Sequence, residues 1–453
     1  MKTINPTTGE VAELYKDHSW VEIDEKIRQS QSAFKTWRRF SYEERAVRVS
    51  TAAQILKRER SVLAKLMADE MGKPIKQGEG EIDKCAWLCD FFAREGGNYL
   101  SDLAVPTDAQ KSFVHFQPLG VVLAVMPWNF PFWQVFRCAV PILLAGNTMI
   151  LKHASNVSGS SLKIESIFKE AGFPTGSLNS VLTGSETVGK IIEHECVQAV
   201  TVTGSVQAGK AIAAKAGEMM KKTVLELGGS DAYIVLEDAD LEAAAVTCAA
   251  SRLINGGQSC VSAKRFIVVE SVFERFEKLF VEKMSGQHMG SPLEEGTTLG
   301  PLARHDLRDQ LHDQVKASIR MGAKVLLGGE IPPGPGAFYP ATVLSDVTTG
   351  MPAYHEEFFG PVASLIRVKD EAEAIHVAND TNFGLGAAVF TRDIKRGERI
   401  AAEEIEAGCC FVNDFVKSDP RLPFGGIRHS GYGRELSVFG IREFVNVKTV
   451  YIK

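Results

Sequence analysis

The chain has 453 residues, of which 45% are hydrophobic and 24% are charged, and its formal net charge is -5. This composition is ordinary for a globular protein and offers no basic surface that would indicate nucleic-acid binding. No apolar run is long enough to span a membrane, and no secretory signal is present. The length predicts two or more domains. The eight cysteines lack metal-ligand spacing, so we expect reduced thiols, no metal site and a cytoplasmic protein.

The N-terminal part predicts long helices. Ser41 and Glu44 have the spacing of a capping box at the start of a helical apolar pattern. A second helical pattern covers residues 82–99. Three aromatic side chains lie on one face of it, and we expect them to pack in the core: Trp87, Phe91 and Phe92.

After Pro106, short apolar runs alternate with helical segments. This alternation predicts an α/β protein with a mostly parallel, doubly wound sheet. In such sheets ligands bind beyond the carboxyl ends of the strands, so the residues that follow each strand are candidates for binding. The predicted strands cover residues 121–126, 148–151, 178–182, 199–203 and 224–227.

Polar residues follow three of these strands. Asn129 lies after the first strand, Lys152 and Ser155 after the second, and Gly204 and Ser205 after the fourth, where they open a helix. A helix N-terminus offers backbone N–H groups and a dipole suited to phosphate. With only two glycines, this turn is not a standard dinucleotide motif. Lys152 and Ser155 are candidates for a ribose or 2′-phosphate contact, and the alternative is a solvated loop.

Glu226 is embedded at the apolar end of the fifth strand. Burial disfavours the charged form of a carboxylate and raises its pKa, which suits a general base that works near neutral pH. The alternative is a structural carboxylate held by backbone donors. The residue alone does not decide between the two.

A glycine-rich turn, Asn-Gly-Gly-Gln-Ser-Cys over residues 255–260, precedes an apolar strand. Its adjacent glycines can adopt left-handed dihedral angles, so the backbone can present Cys260 to a ligand. The thiol is therefore a candidate nucleophile. The alternative is a small buried hydrophobic residue, and a single cysteine does not settle the question.

Together these motifs resemble those of the aldehyde dehydrogenase superfamily, and the resemblance runs from Asn5 almost to Lys453. The order of the motifs along one chain argues against a chance resemblance. They are, in sequence, Pro127-Trp128-Asn129-Phe130-Pro131, Lys152, Gly204-Ser205, Glu226-Leu227-Gly228-Gly229, Gly257-Gln258-Ser259-Cys260, Glu356-Glu357-Phe358-Phe359-Gly360-Pro361, and Pro423-Phe424-Gly425-Gly426 with Ser430-Gly431-Tyr432-Gly433-Arg434-Glu435.

The resemblance implies oxidation of an aldehyde to an acid with NAD or NADP. The Cys260 thiolate would add to the aldehyde to form a hemithioacetal. The Asn129 amide and the Cys260 backbone N–H would stabilise the resulting oxyanion. After hydride transfer to the nicotinamide, water activated by Glu226 would hydrolyse the thioester.

The resemblance also implies a set of cofactor contacts. Glu357 would hold the nicotinamide ribose and Phe359 would pack near the nicotinamide. Many NAD-preferring relatives have a glutamate at the position of Ser155, which would repel a 2′-phosphate. A serine removes that repulsion, so we expect NADP, with NAD also plausible. The implied cofactor-binding residues are Trp128, Lys152, Ser155, Gly204, Ser205, Leu227, Glu357 and Phe359.

For the substrate, the sequence most resembles the short bacterial branch of succinate-semialdehyde dehydrogenases, which carry an arginine at the position of Arg137. A guanidinium suits two-pronged binding of a carboxylate, so we expect an aldehyde with a distal carboxylate. The alternative is an arginine at the surface or paired with a structural acid. A second arginine found in some relatives is replaced by Ile254, so a further donor is needed, and Ser418 is the candidate. Rival hypotheses are a general aliphatic or aromatic aldehyde dehydrogenase and a non-catalytic scaffold.

The resemblance implies two doubly wound α/β domains and a small β arm. The arm would pair between subunits, because an unpaired edge strand invites a partner, so we expect a homodimer or a tetramer. The expected divisions are residues 1–110 and 119–229 for the NAD(P)-binding domain, 230–418 for the catalytic domain, 111–118 and 440–453 for the arm, and 419–439 for a segment that returns to the cofactor-binding domain.

Overall fold

Two large β-sheets with helices on both faces make up most of the computed structural model, which describes residues 1–453. None of the helices combines the length and the apolar character needed to cross a bilayer. The strands are β1 (Lys2–Ile4), β2 (Val11–Leu14), β3 (Leu103–Ala104), β4 (Lys111–Pro118), β5 (Val121–Met126), β6 (Thr148–His153), β7 (Leu178–Ser180), β8 (Val197–Thr203), β9 (Lys222–Glu226), β10 (Ala232–Val235), β11 (Arg265–Val269), β12 (Lys324–Leu327), β13 (Thr342–Ser345), β14 (Val362–Val368), β15 (Gly386–Phe390), β16 (Cys409–Val412), β17 (Gly431–Tyr432) and β18 (Val445–Ile452). The helices are α1 (Trp20–Trp37), α2 (Tyr42–Met71), α3 (Ile75–Leu100), α4 (Trp133–Leu144), α5 (Ser158–Glu170), α6 (Val188–Glu193), α7 (Val206–Glu218), α8 (Leu241–Leu253), α9 (Phe273–Ser285), α10 (His305–Arg320), α11 (Pro352–His355), α12 (Glu371–Asn379), α13 (Ile394–Arg399) and α14 (Ser437–Ile441).

The first sheet has the strand order β17-β9-β8-β5-β6-β7, in which only β17 is antiparallel to its neighbour. Helices α2 to α5 cover one face, and α1, α6 and α7 cover the other. Strand β5 is apolar along its whole length because both of its faces are buried, as expected for a parallel strand between two helical layers.

The second sheet has the order β12-β13-β14-β11-β10-β15-β16, and only β12 runs antiparallel to its neighbour. Helices α10 to α12 pack on one face and α8 and α9 on the other. Two parallel sheets, each with helices on both faces, confirm the predicted α/β class and its doubly wound architecture.

A separate antiparallel sheet of order β18-β4-β3 forms the arm. The pairing of β18 with β4 runs without a break from Val445 opposite Pro118 to Ile452 opposite Lys111. Both strands occupy the residues that the sequence predicted. The sheet memberships support the expected domain divisions, which remain a prediction.

The capping box before α2 is present, since the Ser41 hydroxyl accepts the Glu44 N–H (3.2 Å) and the Glu44 carboxylate accepts the Ser41 N–H (2.6 Å). Helix α3 begins earlier than the pattern predicted, at Ile75. The prediction for its aromatic stripe was wrong at Trp87, which is 40% exposed, whereas Phe91 and Phe92 are buried. The reason is that Trp87 lies on the face of α3 that borders a large cavity rather than the core.

Candidate active site

The turn that carries Cys260 is held in an unusual backbone conformation. After α8 ends, Asn255, Gly256 and Gly257 have φ angles of 54°, 61° and 74°, all in the left-handed region. A Cβ atom on Gly257 would lie 2.2 Å from the carbonyl oxygen of Gly360, so only glycine fits there. The expectation that the adjacent glycines adopt left-handed dihedral angles is confirmed.

Two buried cations fix the turn from behind. Lys264 donates from Nζ to the carbonyl oxygens of Ser259 (2.9 Å) and Cys260 (2.6 Å), and Arg252 donates to that of Gly257 (2.6 Å). The sequence reasoning did not find Lys264. The sequence feature that indicated it is a lysine directly before a strand that is buried along its whole length. A lysine is almost never fully buried unless it has a partner, so a lysine at this position is expected to bind one.

Cys260 lies where two cavities meet. One cavity has a volume of about 250 Å³ and the other of about 840 Å³, and only Cys260 and Gln134 border both of them. We call them the narrow cleft and the wide cavity. The thiol can therefore be reached by one ligand from each side.

The narrow cleft is bordered by most of the residues predicted to bind the cofactor. The N-terminus of α7 opens into it, and Ser205 caps that helix by accepting the N–H of Ala208 (3.2 Å). A Cβ atom on Gly204 would meet no atom within 4 Å, so the space in front of the helix is open. This geometry fits a phosphate. The predicted residues on its wall are Trp128, Gly204, Ser205, Leu227, Glu357 and Phe359.

Glu357 and Phe359 border the same cleft as Cys260. The Glu357 carboxylate accepts the backbone N–H of Gly229 (3.0 Å) and lies 3.7 Å from Lys264 Nζ. The Phe359 ring packs edge-on against Trp128, with 5.7 Å between ring centroids. These side chains fit a cofactor whose ribose and reactive ring lie beside the thiol.

Lys152 and Ser155 do not border the narrow cleft. Lys152 lies in β6 next to its carboxyl end, half-buried, and Ser155 is exposed at the start of the short turn that precedes α5. Burial lowers the pKa of Lys152, and the Glu186 carboxylate opposes that shift. Lys152 therefore lies in the strand that pairs with β5, and Ser155 lies in the turn just beyond that strand.

Asn129 and Cys260 both border the narrow cleft, and each has an N–H hydrogen available for a ligand. The buried Asn129 side chain donates from Nδ2 to the carbonyl oxygen of Gln258 (3.0 Å), and a primary amide has a second hydrogen to offer. The backbone N–H of Cys260 donates to no acceptor in the structure. This pair suits the oxyanion of a tetrahedral adduct on Cys260.

A buried ion pair that sequence reasoning missed holds Asn129 in place. The Asn129 carbonyl oxygen accepts Lys73 Nζ (3.0 Å) and Asn255 Nδ2 (2.7 Å). Lys73 is also ion-paired with Glu81. Glu81 in turn accepts the two N–H groups at the start of α4 (2.9 Å each). One network therefore joins the oxyanion loop, the cysteine turn and the helix that carries Arg137.

Glu226 ends β9 and is 1% exposed. Neither of its carboxylate oxygens has a hydrogen-bond partner, so the backbone donors of the structural alternative are absent. Burial raises its pKa well above the usual range, although the Arg137 guanidinium opposes the shift. Glu226 borders neither cavity in this arrangement, and its raised pKa favours the protonated form.

The Cys260 thiol is also kept protonated. Burial raises its pKa to about 12, and the cations of Arg137 and Lys264 act in the opposite direction. The thiolate is the nucleophile, so these two charges favour the reactive form.

Arg137 lies on α4, borders the wide cavity and is 2% exposed. Its guanidinium contacts the carboxylate of Glu435, itself buried, and lies 4.6 Å from the centroid of the Phe424 ring. Burial, the largest single influence, lowers the pKa of Arg137, but the combined charges of Glu435, Glu226, Cys260 and Cys138 leave the pKa raised. Pairing with an acid, the alternative considered from the sequence, is therefore observed, and the side chain still faces the cavity.

Ser418 lies at the mouth of the wide cavity, where its hydroxyl oxygen accepts Lys84 Nζ (3.0 Å) and Trp133 Nε1 (3.1 Å). Sequence reasoning named Ser418 and missed Lys84. Lys84 could have been found from its spacing, because residues three or four positions apart share one face of a helix. The α3 residues on the face that borders the cavity are Gln77, Gly80, Glu81, Lys84 and Trp87.

A thiol between a cleft that contains an open helix N-terminus and a second, open cavity fits the arrangement expected of an aldehyde dehydrogenase. The chain belongs to the aldehyde dehydrogenase family, which it matches over residues 1–450, so the resemblance of the motifs is confirmed. It is 47% identical over 450 residues to a probable succinate-semialdehyde dehydrogenase (NADP+) of Synechocystis sp., with 99% of both chains covered.

Two further proteins are similar along nearly their whole length. A succinate semialdehyde dehydrogenase (NAD(P)+) of Escherichia coli is 44% identical over 449 residues, with 99% of this chain and 97% of that one covered. The crystal structure of succinic semialdehyde dehydrogenase from Streptococcus pyogenes, in complex with NADP+ as the cofactor, superimposes with a TM-score of 0.97 at 39% identity. That match covers 100% of this chain and 99% of the other.

Proposed function

We propose that this enzyme oxidises succinate semialdehyde to succinate with NADP, and that it also accepts NAD. The observation that carries the proposal is the position of Cys260 between a cleft suited to a nicotinamide cofactor and a cavity with cationic and hydroxyl donors at its mouth. The names of the Synechocystis and E. coli relatives support the same substrate.

The residues around the thiol perform the addition step. The Arg137 and Lys264 charges favour the thiolate of Cys260, which adds to the aldehyde carbon. The second hydrogen of Asn129 Nδ2 and the Cys260 backbone N–H then bind the oxyanion. Glu357 and Phe359 would hold the nicotinamide beside the thiol, where it would supply the hydride acceptor needed to convert the adduct into a thioester on Cys260.

Glu226 acts in the hydrolysis of that thioester. Its raised pKa favours the protonated carboxyl while the side chain is buried without a partner. Entry of water beside the thioester would hydrate the carboxyl and lower this pKa, since burial is its main cause. The ionised form then takes a proton from the attacking water, and succinate leaves.

The cofactor preference rests on the end of β6. Ser155 is exposed and carries no charge, so it does not repel a 2′-phosphate, and Lys152 supplies a cation close by. Glu186, which acts on Lys152, reduces that positive field. NADP is therefore favoured without exclusion of NAD, in agreement with the NAD(P)+ named for the E. coli relative.

The arm supports assembly into a homodimer or a tetramer. Strand β18 is at the edge of its sheet, with eight residues and no partner on its outer side. Its side chains Val447 and Tyr451 are 62% and 50% exposed. A long apolar edge of this kind favours pairing with another chain. Light scattering coupled to gel filtration would report a monomer if the proposal is wrong.

The function is tested by initial rates with succinate semialdehyde and with butyraldehyde, each with NADP and with NAD. The two aldehydes have the same number of carbon atoms, so only the carboxylate differs. We expect a kcat/KM for the semialdehyde about 100-fold higher or more, as for a site built to bind a charged group. Equal values would show a general aldehyde dehydrogenase, the rival that the pairing of Arg137 with Glu435 favours.

A further inference from the structure

We propose that the distal carboxylate of the substrate binds to the ammonium group of Lys84 together with the hydroxyl of Ser418, at the mouth of the wide cavity. This inference rests on the proposed function, because it names the residue that recognises the carboxylate. The carboxylate ligand expected from the sequence, Arg137, borders the same cavity and is ion-paired with Glu435.

Lys84 differs from the other cations of the wide cavity in charge compensation. Four cationic side chains border the wide cavity, and Lys84 is the one that forms no ion pair. An anion that enters the cavity is attracted by uncompensated charge, whereas a neutralised pair offers it little. The other three are paired: Lys73 with Glu81, Arg137 with Glu435, and Lys417 with Asp414.

The hydroxyl hydrogen of Ser418 is available to a ligand. The Ser418 oxygen accepts hydrogen bonds from Lys84 and from the indole of Trp133, and both of these groups can only donate. A hydroxyl has two acceptor positions and one hydrogen, so this arrangement leaves the hydrogen for a third group. No acceptor for it is present in the protein, and Ser418 borders the cavity. A carboxylate oxygen is the acceptor that such a site lacks.

Two contacts hold the Lys84 side chain in place. Its Nζ lies 4.2 Å from the centroid of the Trp133 ring, and its hydrogen bond to Ser418 joins α3 to the loop that follows β16. Of its three ammonium hydrogens, one is used by Ser418 and two remain. A positioned cation next to a positioned hydroxyl can bind both oxygens of one carboxylate at small entropic cost.

Ionisation gives a readout that needs no substitution. Burial, followed by the charge of Arg137, lowers the pKa of Lys84 to about 8, while Cys85, Glu81 and Asp419 act in the opposite direction. Lys84 is charged below this pH and neutral above it. The preference for the semialdehyde over butyraldehyde should therefore fall as the pH rises through about 8. Both aldehydes react with Cys260 in the same way, so the pH dependence of that reaction cancels in the ratio of their kcat/KM values.

The deciding experiment measures kcat and KM for both aldehydes, with NADP, in the wild type, Lys84→Met and Lys84→Arg. We expect Lys84→Met to raise the KM for succinate semialdehyde about 10- to 100-fold, the usual effect of losing a hydrogen bond to a charged group. The kcat should change much less, because the reacting carbon is not touched. Lys84→Arg should restore most of the loss. Lys76→Met is the matched control, since Lys76 is exposed on the same helix and does not border the cavity.

The outcomes separate the two proposals. If the wild type prefers the semialdehyde and Lys84→Met keeps that preference, the inference is overturned and the proposed function stands. If the wild type shows no preference, the proposed function and this inference both fail. If Lys84→Met does not fold, the pH profile of the wild type decides, because a preference that is constant from pH 7 to about 9 would contradict a role for a group of this pKa.

Discussion

The narrow cleft and the wide cavity meet at the same thiol but are built in different ways. The cleft takes most of its wall from short motifs at the ends of strands, in which neighbouring residues act together. The cavity takes its wall from α3, α4, the cysteine turn and the loop around Ser418, which are far apart in the chain. Cofactor chemistry is therefore encoded locally in this sequence, whereas substrate chemistry depends on tertiary packing.

The narrow cleft and the wide cavity also differ in how their charged side chains are compensated. On the cleft side, Glu357 lies near Lys264 and bonds a backbone N–H, so the charges are satisfied by the protein. On the cavity side, Arg137 is satisfied by Glu435, and Lys84 is left without a carboxylate. The uncompensated cation marks where an anion from solution is to be bound, and the following substitutions test that difference.

The largest effect is expected at the junction itself. Cys260→Ala removes the nucleophile that both cavities serve, so turnover should fall by about 10⁴-fold or more. NADP binding, measured by fluorescence titration, should persist, because the cleft wall is intact. Dehydrogenase activity comparable to that of the wild type would exclude the thiol as the nucleophile.

A smaller loss is expected on the oxyanion side. Asn129→Ala should reduce kcat by about 10²- to 10³-fold, as for removal of one preorganised donor. The KM should change little, because the donor acts mainly after addition. Steady-state kinetics with butyraldehyde would isolate this effect from carboxylate binding. An unchanged kcat in a folded variant would mean that the amide does not face the oxyanion.

Removal of the acid that compensates Arg137 should appear in stability. Glu435→Gln leaves a buried guanidinium without its counter-charge, which typically costs about 3–5 kcal/mol of unfolding free energy. Glu274→Gln is the control, because Glu274 is 74% exposed where it pairs with Arg367, and such pairs contribute about 1 kcal/mol or less. Urea unfolding measures both. Equal losses would contradict the view that Arg137 is charged and compensated in the core.

The smallest of these effects concerns the far end of the cleft. Ser155→Glu places a carboxylate where the 2′-phosphate is expected, and should reduce kcat/KM for NADP by about 10- to 100-fold through like-charge repulsion. The kcat/KM for NAD should change little. Ser155→Gln, which has the same shape without the charge, is the control. Equal losses with both cofactors would place the adenosine ribose elsewhere.

Much of the fold followed from local patterns. The five parallel strands of the first sheet were predicted within a few residues, because burial on two faces leaves a clear apolar pattern. The two long arm strands were expected from the family resemblance. Trp87 was misplaced, since helical periodicity shows which residues share a face and not what that face packs against. The partner of Arg137 was not predicted, because Glu435 reaches it only through the return of the chain to the first sheet.

In the candidate site, too, the residues in local motifs were predicted and those that depend on distant groups were missed. Six of the eight residues expected to bind the cofactor border one cleft, since each follows a strand or lies in a short motif. Lys73, Glu81 and Lys84 were missed because their function depends on groups more than fifty positions away. The spacing of Glu81 and Lys84 on α3 was visible in the sequence, but the buried environment of these charges was not.

The central claim is that Cys260 carries the acyl group derived from the semialdehyde. It is tested most directly by acid quenching of the enzyme during turnover with NADP and succinate semialdehyde, followed by peptide mass spectrometry. Glu226→Gln should accumulate more of the adduct than the wild type, because hydrolysis is slowed. We predict a succinyl group on the peptide that contains Cys260. An acyl group on another residue, or oxidation with no adduct in either enzyme, would contradict the account.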